Sequence, residues 1–445
     1  MKKLIALLLA VIIVLSMAAC GGEEGQDPTT GATPDTPTTE NQLTNTEAPA
    51  DPTGAATDPT GTATDPTAET QPFVPFVPEI GEGIYSKTSY TVADKELADN
   101  GDVVVATVGD RELTLSQLQV YYWMNLYAFL NQYSYYLSYI GMDIAHPLDQ
   151  QQCPETAGTW QQHFLSEALT SWHEYQALAI KGEEENIPVE DEFQKELDHL
   201  DSSLESSQTE GGYESIDAML AHDIGPGVTK DSYRAYLSTY VTGFSYYNHL
   251  NNTIEVTDDM IDAYFAEHEE ELAQNEITKE KGKTVDVRHI LFQPEGGTTG
   301  EDGQTTYTDE EWAACEEKAQ AVLDLWLAGD KSEDLFASLA TEHTEDPGSK
   351  ETGGLYEGVK TGQMVTEFDA WCFDESRKVG DYGLVKTSYG YHVMYFCGDE
   401  LLWIGECRNG VLNEKLGNAI ESALEAYPLE VNYGNIMLGN RNLAG

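Results

Sequence analysis

Two histidines carry the strongest chemical signal in this chain. His289 lies in the strand-like run Val285-Asp286-Val287-Arg288-His289-Ile290-Leu291-Phe292, and His392 lies in Thr387-Ser388-Tyr389-Gly390-Tyr391-His392-Val393. Between them come Thr344-Glu345-Asp346, then Gly353-Gly354-Leu355, then Gly362-Gln363-Met364-Val365-Thr366-Glu367-Phe368. An imidazole titrates near neutrality, and a carboxylate such as Asp346 sets the tautomer or charge of a histidine beside it. Leu355, Met364 and Phe368 supply apolar surface. Taken singly each has a structural reading: packed histidines in strands, a turn at Asp346 before Pro347-Gly348, and core positions at Met364 and Phe368. The two histidines with Asp346 are also residue types that bind metals, but no metal is expected.

In this order and spacing, the pieces resemble the parvulin family of peptidyl-prolyl isomerases over roughly residues 283–399. The resemblance implies that His289 and His392 face each other across a sheet, in a hydrogen-bonded network with Thr387 and Asp346. It assigns these four to catalysis. It also implies that Leu355, Met364 and Phe368 form a cup for the proline ring, with Tyr389 in the substrate-binding set. Direct participation of the histidines and maintenance of the fold by their mutual hydrogen bond both stay open. Asp346 stands where the family holds Cys or Asp, and no nucleophile or cofactor is required. The chain departs from the family pattern after Gly353-Gly354: relatives have one more residue before the Leu and a Gly after it, whereas this chain reads Leu355-Tyr356-Glu357. The loop 293–308 has no Lys or Arg, which argues against recognition of phosphorylated Ser-Pro or Thr-Pro.

Around these residues, 285–292 reads as a strand, 309–327 as a helix with Trp312, Ala319, Val322 and Leu323 inward, and Ser332 as the cap of a second helix. A short helix follows at 368–373, and 384–387 with 391–396 form an antiparallel pair. Before this unit the pattern is helical. Residues 103–108 read as a strand and Gly109-Asp110 as a turn, and Thr114 with Gln117 reads as a capping box. Leu115, Leu118, Tyr122, Leu126 and Phe129 then recur at helical spacing. Further helices carry Trp160 to Trp172, Phe193 to Leu204, Tyr233 to Phe244, and Met260 to Phe265. Another is expected at 411–426.

Tyr121, Tyr122, Trp123, Tyr127, Tyr133, Tyr135, Tyr136 and Tyr139 give the first helix more aromatics than one stripe can hold, which fits either burial on several sides or a polypeptide-binding surface. The layout resembles exported foldases of the PrsA and SurA type, in which the isomerase is inserted in a helical chaperone part.

The N-terminus has Lys2-Lys3, an apolar run from Leu4 to Leu15, and Met17-Ala18-Ala19-Cys20, the layout of a signal peptide. The apolar run is shorter than the ~20 residues a bilayer span needs. It resembles a bacterial lipoprotein signal with Cys20 as the lipidated residue, so the protein is expected on the extracytoplasmic face of the cell membrane. From Gly21 to Gly83 there is no Lys or Arg, and Asp-Pro-Thr recurs from Asp27, Asp51, Asp58 and Asp65. This composition is expected to make a self-repelling, disordered tether, reaching on the order of 190 Å when extended at ~3.1 Å per residue.

With 23 Lys plus Arg against 78 Asp plus Glu, the formal net charge of −55 excludes nucleic acid as a partner. Cys153, Cys315, Cys372, Cys397 and Cys407 lack metal-ligand spacing and do not dictate a disulfide. The expected architecture is α+β: a signal peptide at 1–19, a linker at 20–83 and a helical chaperone part at 84–282. The parvulin domain at 283–399, with its small antiparallel sheet and flanking helices, follows, and a C-terminal segment at 400–445 packs back on the chaperone part. The partners implied are unfolded exported polypeptides with X-Pro bonds. The competing reading is a non-catalytic holdase that keeps the parvulin fold.

Overall fold

The computed structural model describes residues 73–300 and 305–443. The expected signal segment, Cys20 and the linker through residue 72 lie outside the described residues.

After a short helix, α1 (Asp94–Asp99), strands β1 (Val104–Val108) and β2 (Arg111–Thr114) pair antiparallel. Thr114 ends the ribbon and starts helix α2 (Leu115–Tyr133). Its hydroxyl accepts the Gln117 amide while the Gln117 side chain accepts the Thr114 amide, so two amides left free by helix geometry are satisfied. The same device opens α3 (Trp160–Glu185) at Thr159 and Gln162. Helices α4 (Asp191–Gly211), α5 (Ile216–Asp223) and α6 (Lys230–Thr253) complete the helical core with α2 and α3, and α7 (Asp258–Gln274) leads to the second sheet. Helices α3 and α6 approach closely at Gly243, where an added Cβ would stand 2.6 Å from the Tyr175 carbonyl oxygen.

The aromatics anticipated on one long helix grade from buried to exposed, with Tyr127 and Tyr133 half-buried between the extremes. Tyr121, Tyr122 and Trp123 are buried, whereas α2 ends at Tyr133 and the turns beyond it leave Tyr135 91%, Tyr136 59% and Tyr139 86% exposed.

The strands of the second sheet are β3 (Lys283–Phe292), β6 (Leu355–Lys360), β7 (Tyr382–Lys386) and β8 (Tyr391–Leu401), and the loop after β3 carries the two-residue pair β4 (Thr298–Thr299) and β5 (Thr305–Thr306). The order is β6-β3-β8-β7, all antiparallel. Helices α8 (Asp309–Ala328) and α9 (Glu333–His343) cover one face, with Ala319, Val322, Trp326 and Phe336 packed on Ile290, Phe292, Val393 and Tyr395. The short helix α10 (Thr366–Cys372) covers part of the other, where Phe368 and Cys372 join Val285, Val287, Val359, Val385, Met394 and Phe396. Alternate residues of β3 thus serve different cores, as the period of two requires.

Helix α11 (Leu402–Ala426) begins directly after β8, nine residues earlier than the expected start at 411. Its first turns bury Trp403 and Cys407 against Ile261 and Phe265 of α7, and its last turns bring Ile420 and Leu424 onto Ala177 and Leu178 of α3 and Tyr246 of α6. Strand β9 (Leu429–Val431) then pairs with β1, so that a segment from the end of the chain completes the first sheet in the order β2-β1-β9.

Candidate active site

The two histidines come together because β3 and β8 pair along their whole length. Leu291 is opposite His392, and His289 is two residues back on the same face, so the rings are diagonal neighbours. Their planes lie 27° apart with centroids at 5.3 Å, and the two Nδ1 atoms are 3.1 Å apart. Both side chains are buried.

Asp346 reaches the pair from the loop after α9. Buried Thr344 pins that loop to β3: its hydroxyl accepts the amides of Leu291 at 3.0 Å and Asp346 at 3.2 Å, while the Glu345 amide donates to the Leu291 carbonyl. The far end of the loop is pinned at Gly354, whose carbonyl accepts the His289 amide at 2.8 Å. A Cβ on Gly354 would lie 2.2 Å from the His289 carbonyl oxygen, and φ is +75°, so only glycine fits.

The turn reading and the network reading of Asp346 are both realised, on different oxygens. Oδ1 accepts the Gly348 amide at 3.3 Å, and Oδ2 accepts from His289 Nε2 at 3.0 Å, from Ser349 Oγ at 2.5 Å and from the Tyr356 hydroxyl at 2.9 Å. At the other end His392 Nε2 is 2.9 Å from Thr387 Oγ1, which also accepts the Tyr389 amide. The result is one chain: Asp346, His289, His392, Thr387.

Burial alone would raise the Asp346 pKa. The hydrogen bonds from His289 and Ser349, the charge of His289 and the Tyr356 hydroxyl outweigh burial and hold the carboxyl well below the usual carboxylate range. Burial first, then the charge of His289, lowers the His392 pKa to about 3 against the opposing pull of Asp346, so His392 is neutral at physiological pH. With His392 neutral, every partner is satisfied: His289 donates from Nε2 to Asp346, one Nδ1 donates to the other across the pair, and His392 Nε2 shares a hydrogen bond with the Thr387 hydroxyl. Each ring nitrogen is then engaged inside the chain. Among the described residues no group of three or more His, Cys, Asp or Glu is arranged to hold a metal ion.

Phe368 stands edge-on to both imidazoles, 5.4 Å from each centroid, and Met364 packs against the same apolar cluster. Tyr389, at the turn between β7 and β8, is 61% exposed.

Leu355 is not brought to this group. It pairs with Arg288, whose Nε reaches Glu333 at the start of α9, so Leu355 shares the sheet face covered by α8 and α9. Tyr356 pairs with Val287 and occupies the face of the histidines, its ring stacked on His289 at 4.9 Å. Neighbouring residues of a strand face opposite sides of the sheet, so this pairing puts Tyr356, and not Leu355, beside His289. Sequence reasoning passed over Tyr356 and Ser349. The departure Leu355-Tyr356-Glu357 was the available signal for the first, and nothing in the sequence marked the second.

The fold and the buried chain of side chains define a parvulin-type domain. Residues 271–397 match the family model described as the PPIC-type PPIASE domain, so the chain carries such a domain. More widely, the chain is similar to Foldase protein PrsA of Halalkalibacterium halodurans, 28% identical over 200 residues that cover 44% of this chain and 49% of that protein. A second Foldase protein PrsA, from Caldanaerobacter subterraneus, is 29% identical over 201 residues, 44% of this chain and 52% of the relative. The chain thus spans about half the length of each of these relatives. Among solved structures, PrsA from Bacillus subtilis aligns with 61% of this chain and 88% of its own at 23% identity, with a TM-score of 0.31.

Proposed function

We propose that this chain is a peptidyl-prolyl cis-trans isomerase and foldase, acting on unfolded exported polypeptides at the outer face of a cell membrane to which Cys20 anchors it. The observation that carries the reading is the continuous chain from Asp346 through His289 and His392 to Thr387, lying beneath Phe368. His289, Asp346, Thr387 and His392 form the catalytic network in this proposal, and Met364, Phe368 and Tyr389 contact the substrate.

An X-Pro bond is held by a rotation barrier of roughly 18–20 kcal/mol, and a thousandfold acceleration requires lowering it by about 4 kcal/mol. The barrier reflects amide resonance, which places negative charge on the carbonyl oxygen. An apolar cup takes that oxygen out of water, and a carboxylate fixed in its ionised form nearby disfavours the planar, charge-separated amide relative to the twisted one. The network needs no group that attacks the bond. Its task is to hold one negative charge at a set place in a dry site.

The full chain is expected to speed cis-to-trans exchange of a short X-Pro peptide, and His392→Ala and Met364→Ala to lose most of that acceleration while staying folded. No acceleration by the folded chain would leave the holdase reading, for which the exposed Tyr135, Tyr136 and Tyr139 supply a polypeptide-binding surface. Loss of lipid labelling in Cys20→Ser, with labelling in the parent, tests the anchor. We assign 84–282 and 400–445 to one helical chaperone part, with the isomerase domain at 283–399 inserted in it.

A further inference from the structure

We propose that Tyr356 joins the proline cup to the charged network: its ring forms the third wall of the cup beside Met364 and Phe368, and its hydroxyl positions the Asp346 carboxylate. This rests on the isomerase reading above and extends it by one residue.

Three observations converge on this side chain. Its place in β6, opposite Val287, turns it toward the cluster that contains Phe368 and against which Met364 also packs. Its ring is stacked on His289, 19° from parallel, so it continues the wall begun by the imidazole. Its hydroxyl donates to Asp346 Oδ2 at 2.9 Å, the same oxygen that accepts His289 and Ser349.

A carboxylate oxygen that accepts three donors is fixed in orientation and kept ionised, because protonation would oppose those donors. The ring of Tyr356 is apolar surface of the kind a proline ring packs on, and its hydroxyl is a hydrogen-bond donor. One rigid side chain with two torsions therefore spans from substrate to anion. A proline seated in the cup packs against the residue that holds Asp346 in place. Leucine at this position would give the apolar wall without the tie.

The test uses the full chain, an X-Pro peptide, and the variants Tyr356→Phe, Tyr356→Leu and Leu355→Ala. Isomerisation is followed from pH 4 to 8, and the imidazole nitrogens of His289 and His392 are followed by NMR with and without peptide. Tyr356→Phe keeps the ring and loses the donor. It should hold KM within about twofold, lower kcat about tenfold, equivalent to about 1.4 kcal/mol in the barrier, and move the acid limb of the profile to higher pH as Asp346 becomes easier to protonate. Tyr356→Leu should in addition raise KM about tenfold, whereas Leu355→Ala should leave KM within about twofold of the parent.

A Tyr356→Phe protein that matches the parent in kcat, pH profile and imidazole signals overturns the positioning role. A rise in KM in Leu355→Ala with none in Tyr356→Leu overturns the cup assignment. Should the parent prove inactive, the isomerase reading fails by itself. The imidazole spectra of Tyr356→Phe and the peptide titration of Tyr356→Leu then decide the inference: unchanged signals and unchanged peptide binding sink it, and altered signals with weakened binding uphold it.

Discussion

The histidine network of the sheet unit and the aromatic stack of the helical part both bury polar side chains, but they treat them in opposite ways. Around the histidines the buried groups form one chain in which each ring nitrogen and hydroxyl has a partner. In the helical part Tyr121 packs on Tyr236 at 4.8 Å and Tyr175 on Tyr240 at 4.9 Å, ring against ring. There the indole N–H of Trp123 and the hydroxyl of Tyr127 have no hydrogen-bond partner. Aromatic rings contribute area and stacking whether or not the polar tip is satisfied. A buried network loses much more when one member is removed, because its neighbours are left unpaired. Polar burial therefore marks the chemistry around the histidines and is incidental to packing in the aromatic stack, whereas the buried Gln119, Gln151, Gln161 and Gln162 elsewhere in the helical part are each hydrogen-bonded.

The largest expected effect comes from breaking the chain. His392→Ala leaves His289 Nδ1 and the Thr387 hydroxyl buried without their partner, and at roughly 1–3 kcal/mol for each unsatisfied group the domain should lose about 3 kcal/mol. Urea unfolding of the parent and variant measures this. A loss under about 1 kcal/mol would mean that the histidine pair contributes to stability no more than ordinary packing does.

The two regions also differ in how they respond to acid. His392 takes up a proton in the unfolded chain near pH 6.5, but in the folded chain only at about 3. Between those values the unfolded state binds more protons, so stability is complete above about 6.5 and falls as pH drops, by up to about 1.4 kcal/mol per pH unit. Asp346, with its folded pKa depressed, adds loss in the same direction below about pH 4.

In the helical part burial raises the pKa of Tyr122, Tyr175, Tyr233, Tyr236 and Tyr240. Above about pH 10 the unfolded chain gives up protons that the folded core retains, so stability there falls as pH rises. Glu174, also raised by burial, acts in the same sense: its contribution is complete below about pH 4.3 and is lost as pH rises through its folded value. Urea titrations between pH 4 and 11, read by NMR signals from each region, should show the sheet unit failing first in acid. In alkali both regions should weaken, because burial also pushes the Cys372 and Cys397 thiols of the sheet unit up to about 12. A helical part that fails first in acid would remove the distinction.

What the sequence made legible follows the same line. Periodicity and capping residues located the starts of α2, α3, α8 and α9 within a residue or two, since local chemistry decides them, but α3 runs on to Glu185, well past Trp172, and α2 stops at Tyr133. The ordered pieces around His289 and His392 brought together the four network residues and the pair Met364 and Phe368. The failures lie where register or tertiary contact decides. Strand β6 and the exchange of Leu355 for Tyr356 depend on the register in which β6 pairs with β3, which composition does not fix. Strand β9 exists because β1 offers it an edge from the other end of the chain. The apolar run Leu401-Leu402-Trp403-Ile404 gave no sign of a helix start, because α11 is organised there by contact with α7. Ser349 is an ordinary loop serine until the fold brings His289 beside it.

A smaller effect is expected at the contact between α3 and α6. Gly243→Ala places a methyl group against the Tyr175 backbone, and the overpacking should cost about 2 kcal/mol. The loss should appear in the unfolding of the helical part and leave the imidazole signals of the sheet unit unchanged. A shift of those signals would show that the two regions are coupled through α11.

The smallest effect makes the sharpest contrast with His392→Ala. Tyr127→Phe removes a hydroxyl that has no hydrogen-bond partner and keeps the ring, which stacks on Trp123 and lies under the Arg441 guanidinium at 5.7 Å. Because no neighbour loses a bond, the change should fall within about 0.5 kcal/mol of neutral and should lean toward stabilisation, since an unsatisfied buried hydroxyl carries a desolvation cost. The guanidinium remains over an aromatic face of similar area, so the cation–π contact persists. A loss above about 1 kcal/mol, measured by urea unfolding, would require the hydroxyl to have a partner in solution, such as a bound water. The tyrosine-rich core would then be a second polar network, and the contrast between the two regions would be one of degree.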